Sequence, residues 1–411
     1  MIQIGCIADD FTGASDWASF FAEKGISTIL FNGIPEADIK TEDADVAVIA
    51  LKTRTEPKEE AVKESVEALA WLREQGTKQY YIKYCSTFDC KKDGNIGPVI
   101  DAAMDYLGET ATVVCPALPV NGRTVRNGCL YVNGVELQNS SMKDHPLTPM
   151  WDCRIKELMR QQSSGEVVVM PKEICEKPDV QEWMGEYQRK KKHIYFVPDF
   201  YEQEQGKRIV EIFEKFKLLT GGSGVSTFLA EKLEHQEMEL IKGQETPAII
   251  IAGSCSVATL GQIAEYLETG KKAYKMSPRK ILEGTESVDT IWKVIGKWKE
   301  DDILLYSSED ASTVTENQKN ENISMLIEQI QAQIAQQFVR EGRTRVIVAG
   351  GETSGAVTKK LGYDRYYVGG SIAPGVPVLI PVQEPEMRLV LKSGNFGKKD
   401  FFIRALEYTR G

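Results

Sequence analysis

Histidine is almost missing from this sequence: His145, His193 and His235 are its three, too far apart to make a His-rich metal site. None of the eight cysteines (Cys6, Cys85, Cys90, Cys115, Cys129, Cys153, Cys175, Cys255) forms a C-x-x-C pair, which argues against zinc ribbons and thioredoxin-like motifs. Most read instead as small apolar side chains in or beside strands. Signature loops are missing as well: there is no G-x-x-x-x-G-K-[ST], no G-x-G-x-x-G after the first strand, and no G-x-S-x-G after any strand. Positive charge is in deficit, with a formal net charge of -10 over 411 residues, and phosphate backbones reward the opposite balance, so no nucleic-acid partner is expected. The longest apolar runs, such as Ala248–Ala252, fall far short of the roughly 20 residues that a membrane span needs. Met1–Ala8 has neither a basic n-region nor a cleavage site, and a cytoplasmic location is the expectation.

What the chain has is alternation. Short apolar runs bounded by Gly, Pro and Asp are separated by longer amphipathic stretches, the pattern of repeated βαβ units. Strands are predicted at 2–8, 46–51, 80–84, 112–115, 166–170, 194–197 and 217–220, with helices at 15–24, 57–75, 99–107, 151–162 and 205–216. Residues 116–149, rich in Gly, Asn and Pro, read as a long loop with a short hairpin near Cys129–Leu137. From Glu231 to Glu245 the chain turns polar, and a second series follows, with strands at 248–252, 273–276, 303–306, 345–349, 366–368 and 388–391 and a long helix at 320–340. The expectation is an α/β fold of two Rossmann-like three-layer domains, residues 1–235 and 236–411, with largely parallel sheets and an inter-domain cleft.

In open α/β sheets, ligands sit beyond the carboxyl ends of the strands. In the second half those ends read Gly253-Ser254-Cys255-Ser256, then Gly350-Gly351-Glu352-Thr353-Ser354-Gly355, then Lys392-Ser393-Gly394-Asn395-Phe396-Gly397. Glycine lets backbone amides approach a phosphate, hydroxyls donate to it, and a helix N-terminus favours its charge. Each loop alone reads equally well as a turn; three together point to an anion such as a nucleotide phosphate. Thr220-Gly221-Gly222-Ser223-Gly224 closes the first half and reads as a hinge or an inter-domain contact.

The first half ends its strands differently. Asp9 and Asp10 stand together where a strand stops and a helix starts, with Thr12-Gly13 as the first turn. One carboxylate there is an ordinary N-cap, worth about 1 kcal/mol. Two exceed what capping needs, and carboxylates facing a polyol accept hydroxyl protons or act as general base. Arg54 and Lys83 follow later strands, where they are either solvated charges or the cations that hold a carboxylate. Together these residues describe a hydroxylated acid as ligand.

Ala8-Asp9-Asp10-Phe11-Thr12-Gly13-Ala14-Ser15-Asp16 resembles the start of the four-carbon acid sugar kinases. The likeness continues in order through Lys83–Asn95, Thr220–Gly224, Gly350–Gly355, Ile372-Ala373-Pro374-Gly375-Val376-Pro377 and Lys392–Gly397, and so spans the chain. The resemblance implies an N-terminal domain binding a tetronate, a C-terminal domain binding ATP, and phosphoryl transfer to O4, with Mg²⁺ expected. Carried over by motif, Asp9, Asp10, Thr12, Arg54, Lys83, Tyr84, Cys85, Ser86, Thr87 and Asn95 would serve the acid sugar. Ser254, Gly350, Gly351, Glu352, Thr353 and Gly394 would serve the nucleotide. With histidines so few, the proton acceptor is a carboxylate: Asp9 in the first instance, Asp89 as the alternative, and Asp10 turned aside to cap the helix or approach the metal. Metal ligands are not specified.

Much of the family reads Lys-Lys-Ile-Asp-Ser-Thr-Leu-Arg-Gly where this chain reads Lys83-Tyr84-Cys85-Ser86-Thr87-Phe88-Asp89, so Cys85 replaces an aspartate. With Gly94–Val99 and 145–150, this resembles the 3-oxo-tetronate kinase branch, because a C3 ketone has no proton for a carboxylate to accept. Cys90-Lys91 departs from the Ser-Thr of that branch. The alternatives are D-threonate or D-erythronate 4-kinase, an NAD-dependent oxidoreductase, or a non-catalytic acid-binding protein. Oligomeric state is left open, a homo-oligomer included.

Overall fold

The computed structural model describes residues 1–41, 44–88, 91–144, 148–189, 193–234, 241–308 and 321–410, the side chains of 144, 321 and 322 excepted. The chain divides into two compact units, Met1–Met238 and Glu239–Gly411.

The first unit carries β1 (Ile4–Ala8), β2 (Thr28–Asn32), β3 (Val46–Ala50), β4 (Gln79–Lys83), β5 (Ala111–Cys115), β6 (Arg123–Arg126), β7 (Cys129–Val132), β8 (Val135–Glu136), β9 (Glu166–Met170), β10 (Ile194–Pro198) and β11 (Leu218–Gly221). Its main sheet runs β2-β3-β1-β4-β11-β5-β10-β9, and every recorded pairing within it is parallel. A parallel sheet is covered on both faces, so its strands are apolar throughout rather than alternating. β1, β3, β5 and β10 are accordingly buried at all positions. Trp17, from the helix Phe11–Ala22, packs on Tyr81 of β4 with ring centroids 5.2 Å apart. β6, β7 and β8 form a separate antiparallel sheet inside what reads from sequence as a long loop with one hairpin.

The second unit carries β12 (Ala248–Ala252), β13 (Lys272–Lys275), β14 (Ile303–Tyr306), β15 (Arg345–Ala349), β16 (Arg365–Ala373), β17 (Val376–Pro381) and β18 (Arg388–Lys392), in the order β13-β14-β12-β15-β18-β17-β16. The pairings from β13 to β18 are parallel, whereas β17 runs antiparallel to both β18 and β16. Ile250, Ile347 and Val390 from the central strands bury against Phe401 and Phe402 of the helix Phe401–Tyr408. Each such side chain contributes about 1.5–3 kcal/mol.

Outside the small β6–β7–β8 sheet, two strands escape the sequence pattern. β2 is a short five-residue run between Gly25 and Asn32-Gly33 that the sequence reading passes over, and β17 carries two prolines. Pro374-Gly375 is the turn of the β16–β17 hairpin, with Gly375 at φ 77°. The first helix starts at Phe11, not at 15, because Asp10 caps it.

The glycines of Thr220–Gly224 serve close packing within the first unit. A Cβ at Gly221, Gly222 or Gly224 would overlap the carbonyl oxygens of Cys115, Pro116 and Ala117 respectively. Backbone resists such overlap, so Gly224→Ala is expected to destabilise the chain by about 1–3 kcal/mol, seen as a lower urea midpoint. An unchanged midpoint would show that the two segments are not packed this closely.

Candidate active site

β1 lies between β3 and β4, so the chain leaves it first toward one side and then toward the other. That reversal opens a crevice at the carboxyl ends of the strands. Backbone bonds pin its floor: the Asp9 amide donates to the Lys83 carbonyl at 3.0 Å, and the Leu51 amide to the Ala8 carbonyl at 2.9 Å.

Three predicted charges meet in that crevice. Arg54 donates from Nε and Nη2 to the two oxygens of Asp9, both at 2.9 Å, and its Nη2 lies 3.0 Å from Asp10 Oδ1. Asp10 Oδ1 also accepts from the Gly13 amide at 2.7 Å, the N-cap bond of the first helix. Gly13 must be glycine for this, because a Cβ would strike Asp10 Oδ1 and come within 3.2 Å of Lys83 Nζ. The two carboxylates therefore differ. Both Asp9 oxygens are committed to the guanidinium, whereas Asp10 Oδ2 has no protein partner among the described residues. Burial raises the Asp10 pKa, with Arg54 opposing it. Burial alone would lower the Arg54 guanidinium, but the Asp9 and Asp10 carboxylates outweigh it and hold the pKa above its ordinary value.

Lys83, the last residue of β4, is 3% exposed. Its Nζ donates to the Tyr84 carbonyl at 2.9 Å and lies beside the start of the first helix. Asp9, Thr53, Arg54, Lys83, Tyr84 and Asn95 line one pocket, walled on its apolar side by Ile7, Ile82, Ile96 and Val99.

Two predicted contacts work differently from the expectation. The Asn95 amide donates to the carbonyls of Thr53 and Glu56 at 2.7 and 2.8 Å, so this side chain braces the loop that carries Arg54. The Tyr84 ring is buried, its hydroxyl 3.2 Å from Thr220 Oγ1 and its edge against Phe88. Cys85, half-buried, has its Sγ 2.9 Å from Thr87 Oγ1, while Ser86 and Thr12 are half-buried near the same strand ends. Phe88, buried, adopts φ 53°, a conformation costly for a bulky residue and concentrated at functional loops. Asp89 and Cys90 lie outside the described residues.

The second unit repeats the logic with different chemistry. β12 lies between β14 and β15, another reversal point, and β18 lies next to β15. The helix Gly351–Leu361 starts directly after β15 with Gly350 as its N-cap, at φ 136° and without a side-chain cap. An N-cap lacking a side chain leaves the first-turn amides open to an anion. Gly350 packs against Ser254, and a Cβ there would lie 3.2 Å from the Ser254 amide. A Cβ on Gly394 would strike Ser254 Oγ. Ser254, Gly350 and Gly394 are thus brought together as predicted. Thr353 is buried in the first turn, whereas Gly351 and Glu352 are exposed.

The residues of this architecture match two family models, one for a sugar-binding N-terminal domain over residues 4–229 and one for a nucleotide-binding C-terminal domain over 249–402. The chain is 39% identical to the 3-oxo-tetronate kinase of Pectobacterium atrosepticum, covering 98% of this chain and 99% of that one. It is also 39% identical to that of Haemophilus influenzae, over 100% and 99%. The chain belongs to the four-carbon acid sugar kinase family. Within it, these relatives place it in the 3-oxo-tetronate kinase branch. Its fold matches the crystal structure of a Haemophilus influenzae protein with TM-score 0.85 and 38% identity, over 98% of this chain and 100% of that one. It matches one from Salmonella typhimurium LT2 with TM-score 0.91 and 37% identity, over 98% and 99%. Among the described residues no helix is long and apolar enough to cross a membrane.

Sequence reasoning sets Lys392, the last residue of β18, at the head of a strand-end loop but gives it no role of its own. The residue is 1% exposed, and its ammonium donates to Thr259 Oγ1 and to the Ser393 and Gly394 carbonyls at 3.0, 3.1 and 3.0 Å. The available signal is a lysine standing directly before Ser-Gly at a strand end. Burial lowers its pKa to about 8. An unfolded lysine titrates near 10.4, so between about pH 8 and that value the unfolded chain binds more protons than the folded one, and stability gains from this group as pH rises. Wild-type protein is expected to show that gain in urea melts between pH 8 and 10, and Lys392→Met to lack it. Parallel pH profiles would contradict the burial of this charge.

Proposed function

We propose that the chain transfers the γ-phosphoryl group of ATP to O4 of a 3-oxo-tetronate, the acid held in the first unit and the nucleotide at the loops of the second. The observation that carries the reading is the cluster of Asp9, Arg54, Asp10 and Lys83 at the β1 reversal point. The relatives' names support the 3-oxo acid, as does Cys85, a residue that offers no carboxylate to a C3 hydroxyl. Free exchange of Arg54 between protein and substrate is disfavoured, because Asp9 already holds it bidentately. Lys83 suits the substrate carboxylate better, since it donates to a single protein acceptor among the described residues.

Phosphoryl transfer needs the acceptor hydroxyl in line with the γ-phosphate, charge neutralisation and one proton acceptor. O4 forms its bond to γ-phosphorus as the bond to the β–γ bridging oxygen breaks, ADP leaves, and the O4 proton passes to a carboxylate. We assign that proton to Asp10 rather than to Asp9. Arg54 occupies both oxygens of Asp9, while Asp10 keeps Oδ2 open and its pKa is raised by burial. Asp9 then orients Arg54.

Among the described residues no group of three or more His, Cys, Asp or Glu side chains gathers as a ready cation cage. Mg²⁺ does not require one, since it takes one or two carboxylates plus phosphates and keeps several waters. Glu352, exposed in the first turn after Gly350, fits that donor set, because a carboxylate beside a triphosphate is repelled unless a cation lies between them. Mg²⁺ supplies charge neutralisation on the phosphates when bound.

Asparagine caps helices as well as aspartate, so Asp10→Asn keeps the cap and removes the base. It is expected to lower kcat by about a hundredfold or more with ATP affinity intact. Asp9→Asn is expected to act mainly on KM for the acid. Near-native kcat in Asp10→Asn, with the large loss in Asp9→Asn, would return the proton to Asp9.

A further inference from the structure

Lys392 presents a problem in charge burial. Its ammonium lies beneath the Ser393-Gly394 loop with three neutral acceptors and the Phe401 ring 5.7 Å away. Among the described residues it forms no ion pair, and an isolated buried cation is unfavourable unless an anion completes the site. The Gly394 carbonyl is equally unusual, collecting bonds from Lys392 Nζ at 3.0 Å, Ser256 Oγ at 2.7 Å and Thr259 Oγ1 at 2.9 Å. In a trans peptide the N–H points opposite to the preceding C=O. Holding the Ser393 and Gly394 carbonyls inward therefore turns the amides of Gly394 and Asn395 outward, and neither donates to a backbone acceptor among the described residues. The loop is adjacent to the other two, since a Cβ on Gly394 would strike Ser254 Oγ and Gly350 packs against Ser254.

We propose that Lys392 is a positioning residue for the phosphate tail of the nucleotide: its buried charge is the counter-ion, and its hydrogen bonds aim the Gly394 and Asn395 amides at the phosphates. This rests on the assignment of ATP to the loops of the second unit. The effect grows with phosphate charge and leaves the nucleoside untouched, which separates it from a purely structural role.

The test measures the binding of ATP, ADP and adenosine to the full chain by titration calorimetry, with adenosine read by competition, alongside KM for both substrates. Lys392→Met is expected to weaken ATP and ADP by about tenfold or more, to change adenosine by less than about twofold, and to leave KM for the acid unchanged. Equal losses for ATP and adenosine, or ATP binding within about twofold of wild type, overturn the proposal. Should Lys392→Met fail to fold, Thr259→Val removes one bond from Nζ and one from the Gly394 carbonyl while keeping the charge. It is expected to weaken ATP by about threefold or more and to spare adenosine; unchanged ATP affinity there overturns the proposal. Wild-type chain that binds no ATP sinks the nucleotide assignment itself, whereas ATP binding that survives both substitutions removes Lys392 alone.

Discussion

Arg54 is held by Asp9 through both of its oxygens and touches Asp10 as well, and the first unit's site is arranged around that one guanidinium. The contact joins the end of β1 to the loop after β3, and Asn95, the N-cap of the helix Ile96–Leu107, braces the same loop. Lys83 stands at the end of β4 with a second positive charge. Lys83 adds a partly uncommitted ammonium, which on the proposed reading meets the carboxylate of an incoming acid. The pairing also makes two adjacent aspartates chemically unequal, one a clamp and the other a cap with an open oxygen. Backbone geometry at a strand end, not residue type, sets that difference.

The second unit answers another requirement with another device. On the proposed assignment the anion held here carries several charges, and the loops offer amides, hydroxyls and an uncapped helix start instead of carboxylates. A single buried lysine stands behind them. Both clusters lie where the strand order reverses, the position at which successive loops diverge and leave room for a ligand.

Much of this was legible in the sequence, for physical reasons that also mark its limits. Fully buried parallel strands write themselves as apolar runs, so β1, β3, β12 and β15 are plain. β17 is not, because its prolines signal a turn; they stand near the strand's ends, Pro377 opposite a register shift and Pro381 as the last residue. Asp9, Asp10, Arg54 and Lys83 could be picked out as charges at strand ends, but the union of Asp9 with Arg54 could not, since tertiary structure alone brings residues 45 positions apart together. Asn95 reads as a polar residue near a substrate loop, and only its two carbonyl partners reveal a brace. Lys392 looks like any surface lysine until its burial is known.

The central claim is a transfer from ATP to one class of acid. It is tested most directly by ADP release from the full chain with ATP over a panel of 3-oxo-tetronates, threonates and erythronates, the product's phosphate being placed by phosphorus NMR. The account predicts a 4-phosphate and a kcat/KM for a 3-oxo acid at least about tenfold above that for any 3-hydroxy acid. Preference for threonate or erythronate, or no ADP release with any acid in the panel, would contradict it.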